Sequence, residues 1–90
     1  MTKAELVTAI AARAGLDEKQ AKRALEAFTA SVTASLKAGH QVRVVGFGSF
    51  VPIDRSAGVS RNPKTGAPVA RAASRTARFR VGETLKSALN

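Results

Sequence analysis

Residues 55 to 82 contain six arginines and one lysine, and no aspartate or glutamate. Such a segment cannot fold in on itself, because its cations repel one another and it offers few large apolar side chains to bury. It must run over the surface or lie against a polyanion. If residues 55–75 project outward, about 65 to 70 residues remain for a core, which is marginal for a single hydrophobic core. The candidate core side chains are mostly alanine, with four Phe and no Trp, Tyr or Cys. Disulfides and thiolate metal sites are excluded, so association is the remaining way to stabilise so small a body. The expectation is an obligate homodimer whose monomer has little stability of its own.

The net charge of +9 is unevenly spread. Residues 1–40 hold Lys3, Arg13, Lys19, Lys22, Arg23 and Lys37 against Glu5, Asp17, Glu18 and Glu26. Residues 41–90 set nine cations against only Asp54 and Glu83. The front half therefore has an ordinary mixed surface, and the back half carries the charge that would meet a polyanion. Met1-Thr2-Lys3-Ala4-Glu5 leads into no apolar stretch of signal-peptide length. No run approaches the roughly 18 apolar residues of a membrane span, so a soluble cytoplasmic protein is expected.

Thr2 and Glu5 make a capping box that starts a first helix at Lys3, with Leu6, Val7, Ile10, Ala11 and Ala14 on one face. Gly15 ends it, and Asp17 with Gln20 forms a second box. Ala21, Ala24, Leu25, Phe28, Val32 and Leu36 then keep a helical period until Gly39. Beyond Gly39 the period becomes two. Gln41–Val45 and Phe47–Ile53 read as strands, with Gly46 and Gly48 serving a tight turn and Pro52 at an edge or exit. Asn62-Pro63-Lys64-Thr65-Gly66 is a turn signal. Ala77, Phe79 and Val81 alternate with Thr76, Arg78 and Arg80 in a third strand, its apolar side toward the core. Glu83 to Leu89 reads as a short helix with Leu85, Ala88 and Leu89 inward. The segment between strands two and three is expected to be a projecting β-ribbon arm, mobile until a partner orders it, since an isolated ribbon is marginal in water.

Three strings carry a family resemblance: Gly46-Phe47-Gly48-Ser49-Phe50, Arg61-Asn62-Pro63-Lys64-Thr65-Gly66, and Phe79-Arg80-Val81-Gly82-Glu83-Thr84-Leu85-Lys86. With the length and element order, they resemble the bacterial histone-like HU/IHF family, closest to HU, over essentially the whole chain. The resemblance implies one α+β domain over residues 1–90, with an N-terminal helix hairpin, a three-stranded antiparallel sheet and a short C-terminal helix in an intertwined dimer. Residues 1–40 would be the helical dimerisation part, 41–54 and 76–82 a saddle sheet, 55–75 the arm and 83–90 the terminal helix. It also implies a non-enzymatic protein that bends and compacts double-stranded DNA in the bacterial nucleoid with little sequence preference. A sequence-selective IHF-type subunit working as a heterodimer is the alternative. Architectural proteins of this kind place arms in the minor groove and wedge apolar side chains between base steps.

On that reading Pro63 intercalates, since its ring is apolar, rigid and lacks an N–H. Arg61, Asn62 and Lys64 flank it in the groove, where readout is degenerate. Arg55, Arg71, Arg75, Arg78 and Arg80 are phosphate candidates, with Lys3 and Lys86 as flanking contacts on the body. Ser56–Ser60 on the outgoing side of the arm carries no charge. Phe28, Phe47, Phe50 and Phe79 are assigned to the dimer core; stacking platforms of an RNA-binding sheet are the competing role for the last three. His40 follows a helix-ending glycine and belongs in an exposed turn. No cofactor, metal, membrane or small-molecule substrate is expected. Paired carboxylates and a nucleophile with a base are both missing from the basic segment, which argues against an enzyme.

Overall fold

The computed structural model describes residues 1–61 and 63–90, with the side chains of Ser60 and Arg71 outside the description. Its elements are α1 (Lys3–Ala14), α2 (Glu18–Lys37), β1 (Val42–Val44), β2 (Gly48–Arg55), β3 (Gly58–Arg61), β4 (Pro68–Arg71), β5 (Ser74–Val81) and α3 (Glu83–Ala88). The order is the expected helix pair, three-stranded sheet with an inserted ribbon, and terminal helix. Two compact units divide it, Met1–Ala34 and Ser35–Asn90.

In the first unit, local chemistry sets the helix ends. The Thr2 hydroxyl accepts from the Glu5 amide at 3.2 Å, one half of the first capping box. The return contact differs from a full box, because the Glu5 carboxylate takes the Thr2 hydroxyl, not its backbone N–H. The second box is complete: Gln20 N–H donates to Asp17 Oδ1 at 2.7 Å and Asp17 N–H to Gln20 Oε1 at 3.2 Å. Gly15 closes α1 in the left-handed region, at φ 68°. Val7, Ala11 and Ala21 are the buried residues, with Ile10 and Leu25 packed against them. The rest of the α2 stripe is far less covered, and Phe28 stays 44 % exposed.

In the second unit, β1, β2 and β5 form one antiparallel sheet with β2 in the middle, while β3 and β4 pair only with each other. The β1–β2 link takes three residues, Val45 to Phe47, where the sequence reading left only Gly46 between the strands. Phe47 N–H donates to Val44 O at 2.9 Å, which closes a four-residue turn with Gly46 at φ 84°. Val45 is thereby spent on the turn and points into solvent, instead of extending the first strand. Pro52 lies opposite Ala77 and past the end of β1, whose last partner is Phe50, so its missing N–H interrupts no β1 ladder bond.

The β2–β5 ladder also reaches further than boundaries at 54 and 76 would allow. Asp54 pairs with Arg75 and Arg55 with Ser74 before the ribbon begins at Gly58. An acid facing an arginine favours the extra rung. In a single chain the positions expected inward are only partly covered. Phe79 and Val81 are 41 % and 49 % exposed, and α3 stops at Ala88 with Leu85 half-buried and Leu89 in solvent. This apolar face is left partly open in the single chain.

Candidate nucleic-acid interface

Alternate residues of a strand point to opposite sides of the sheet, and paired residues share a side. The register therefore sorts every side chain of β1, β2 and β5 onto one of two faces. Val42, Val44, Gly48, Phe50, Pro52, Asp54, Arg75, Ala77, Phe79 and Val81 fall on the first. Arg43, Ser49, Val51, Ile53, Arg55, Ser74, Thr76, Arg78 and Arg80 fall on the second. The first face is aromatic and aliphatic, with a single opposed charge pair at its end. The second carries four arginines and no acid.

The aromatic face is built around Phe79. Its ring lies 5.4 Å from Phe47 and 5.2 Å from Phe50, each pair tilted at 55°, a favourable edge-to-face-like arrangement. Gly48 makes room for it, since a Cβ there would collide with the Phe79 ring and with Arg80 O. Gly48 thus serves close packing, while the turn depends on Gly46. The three rings pack on one another on the side away from the arginines, so they do not form a platform for stacked bases.

On the basic face, Ser49 pairs with Arg43 on β1 and with Arg80 on β5, so two arginines flank one serine across the three strands. Arg78 pairs with Val51 and Arg55 with Ser74, continuing the positive surface toward the ribbon. Sequence reasoning missed Arg43. Its place was legible in the alternation of Val42-Arg43-Val44, which sends it to the side opposite its valine neighbours.

The ribbon pairs Gly58 with Arg71 and Arg61 with Pro68, and its turn presents Pro63 and Lys64 at the surface. Gly66 at φ 71° and a bond from Ala67 N–H to Thr65 Oγ1 at 3.2 Å shape the return. Asn62 lies outside the described residues. Arg71 is placed as the last residue of β4. Lys86 is exposed on α3, which is held to the sheet by Gly82 N–H donating to Phe47 O and Leu85 N–H to Gly46 O. Lys3, in the first unit, makes a 3.4 Å ion pair with Glu26.

Arg75 is separated from the other arginines. Parity puts it on the aromatic face, where Nε and Nη2 donate to the two carboxylate oxygens of Asp54 and Nη1 donates to Lys37 O at 2.7 Å. The hydrogen bond from Arg75 holds the Asp54 carboxyl below its ordinary value of 3.8, against a lesser upward push from desolvation. The same bond raises the Arg75 guanidinium further above its already basic range.

A helix pair, a three-stranded antiparallel sheet with an inserted ribbon, and a short terminal helix make a fold that known proteins share. The family model described as "Bacterial DNA-binding protein" matches residues 1–90. The chain belongs to this family. It is 64 % identical over 89 residues to DNA-binding protein HU of Caulobacter vibrioides, covering 99 % of this chain and 97 % of the relative. It is 50 % identical to HU-beta of Serratia marcescens over the full length of both chains. Among solved structures it is similar to HU in an Anabaena HU–DNA cocrystal structure, with a TM-score of 0.85, 36 % identity, and 99 % and 97 % of the two chains covered. The family is architectural and not enzymatic. No helix among the described residues is long and apolar enough to cross a membrane.

Proposed function

We propose that this chain acts as a homodimer that binds double-stranded DNA with little sequence preference, and that it bends and compacts the DNA of the bacterial nucleoid. The observation that carries the reading is the sorting of the sheet: Arg43, Arg55, Arg78 and Arg80 share a face without one acid, beside a ribbon tipped by Pro63. Arginines spaced along an open sheet suit the phosphates of a duplex, which accept their hydrogen bonds without regard to sequence. The relatives named above are HU proteins, which favours this reading over an IHF-type heterodimer subunit.

The opposite face supports the dimer. A second copy would cover Phe79, Val81 and the exposed part of Phe28, which a small chain with only three buried hydrophobic side chains among the described residues cannot leave in water at little cost. Phe28, Phe47, Phe50 and Phe79 belong to that core. Residues 1–40 then supply the helical dimerisation part, 41–54 and 76–82 the sheet, 55–75 the arm and 83–90 the terminal helix. The arm lies in the minor groove, with Arg61, Asn62 and Lys64 beside the bases and Arg71 on the return. Lys3 and Lys86 reach flanking phosphates.

Pro63 enters a base step. Unstacking costs a few kcal/mol per step and is offset by the extra contact along bent DNA. Pro63→Ala therefore weakens binding to an intact linear duplex more than to a nicked or pre-bent one, as read in a mobility-shift titration. Equal losses on all three substrates would remove Pro63 from the bending mechanism.

A further inference from the structure

The C-terminus of α2 shows what Arg75 is for. The last four carbonyls of a helix lack intrahelical partners and need outside donors. Here His40 N–H donates to Ser35 O at 2.9 Å and Gly39 N–H to Leu36 O at 3.0 Å, the paired bonds of a Schellman ending, with Gly39 in the left-handed region at φ 87°. Those bonds do not reach Lys37 O, which Arg75 Nη1 takes at 2.7 Å, with a longer 3.5 Å contact to Leu36 O. The guanidinium passes over Gly39, where a Cβ would stand 3.7 Å from Nη1, in ordinary contact. A cation at this helix end also complements the helix dipole. Its Nε and Nη2 donate to Asp54, which sits directly across the β2–β5 ladder from Arg75, four residues before the ribbon begins at Gly58.

One side chain thus joins three segments: the end of α2, the last part of β2 and the first part of β5. The two strands it joins are the two roots of the ribbon. Its planar fork matches a carboxylate on one edge and a carbonyl on the other, which the single ammonium of lysine cannot do. Both edges of the fork are committed within the protein, on the face opposite Arg78 and Arg80.

We propose that Arg75, with Asp54 as its anchor, is a positioning residue that locks the root of the DNA-binding arm, and that it contacts no phosphate itself. The proposal rests on the DNA-binding reading above. It opposes the assignment from sequence, which grouped Arg75 with the phosphate contacts, and the two roles give opposite signs for one substitution. If Asp54 merely competed with DNA for Arg75, Asp54→Asn would free the arginine, remove a negative charge and tighten binding. If the pair is a clamp, Asp54→Asn loosens both roots of the arm and weakens binding despite the added net charge. The arm must then be ordered on association, an entropic penalty paid by the complex alone.

The test measures affinity for linear duplex DNA across a salt series, using the full chain as wild type, Asp54→Asn, Arg75→Gln and Arg75→Lys. Amide hydrogen exchange of each free protein is followed in parallel. The clamp predicts that Asp54→Asn and Arg75→Gln each weaken binding by roughly three- to tenfold, on the scale of ordering a side chain or two. Their salt slopes match wild type, because no phosphate contact is lost. Exchange rises in β3, β4 and the adjoining ends of β2 and β5, while α1 is unchanged; this separates arm positioning from general unfolding. Arg75→Lys restores part of the affinity. Tighter binding by Asp54→Asn, or a slope lowered by about 0.9 in Arg75→Gln, overturns the clamp and makes Arg75 a phosphate ligand. Unaltered exchange in the arm would overturn it as well. Failure of the wild type to bind duplex in a salt-dependent way would instead remove the DNA-binding reading itself.

Discussion

The two faces of the β1–β2–β5 sheet are made by alternate residues of the same three strands, yet they have almost nothing in common. One gathers Phe50, Phe79, Val42, Val44 and Val81 and neutralises its single arginine with Asp54. The other gathers Arg43, Arg55, Arg78 and Arg80 and no acid. A strand of eight residues can therefore present an aromatic face and an arginine face together, provided its register never slips. A slip by one would put Phe79 on the arginine face and Arg78 on the aromatic face. The fixed turn at Gly46 and the packing of Phe79 over Gly48 hold that register.

The largest effects of substitution are expected on the aromatic side. Phe79→Ala removes the ring that Phe47 and Phe50 pack against, at a cost of about 3 to 5 kcal/mol if a second copy completes the core. Urea unfolding at two protein concentrations checks this, with a lower midpoint expected and a stronger dependence on concentration. Gly48→Ala forces a methyl into the same ring and is expected to cost about 1 to 3 kcal/mol, seen as a lower thermal midpoint with the secondary structure retained below it.

The smallest effect concerns the charge pair. Because the folded Asp54 carboxyl ionises below its ordinary 3.8, its contribution to stability is fully present above that value. It is lost only as the pH falls through the lower folded value. The stability difference between wild type and Asp54→Asn should therefore be constant from pH 7 down to about pH 5 and shrink below the ordinary carboxylate range, as followed by denaturant unfolding. A difference that grew on acidification would exclude the assigned shift.

Much of this was legible in the residues. Caps at Thr2, Asp17, Gly15 and Gly39 announced the helix pair, and alternation announced the strands. The turn at Val44–Phe47 was less so, because Val45 has a strand-like side chain and is exposed only because Gly46 takes the left-handed position. Arg75 was legible in principle: it shares parity with Ala77 and Phe79, whereas Arg78 and Arg80 do not. Counting arginines along the acid-free segment hid that distinction, and Asp54, just outside the segment, is the residue that gives Arg75 its partner. The exposure of Phe79 and Leu89 could not be read from a periodic pattern, which marks a face as apolar without saying what covers it.

The salt dependence of the double variant Arg78→Gln/Arg80→Gln reads the role of the arginine face. These two arginines lie on the acid-free face, opposite Phe50 and Phe79, so the double variant should keep its thermal midpoint. If both meet phosphates, the slope of log affinity against log salt for linear duplex falls in magnitude by about 1.8, or 0.9 for each lost contact. A double variant that bound with the wild-type slope would show that this face does not carry the DNA.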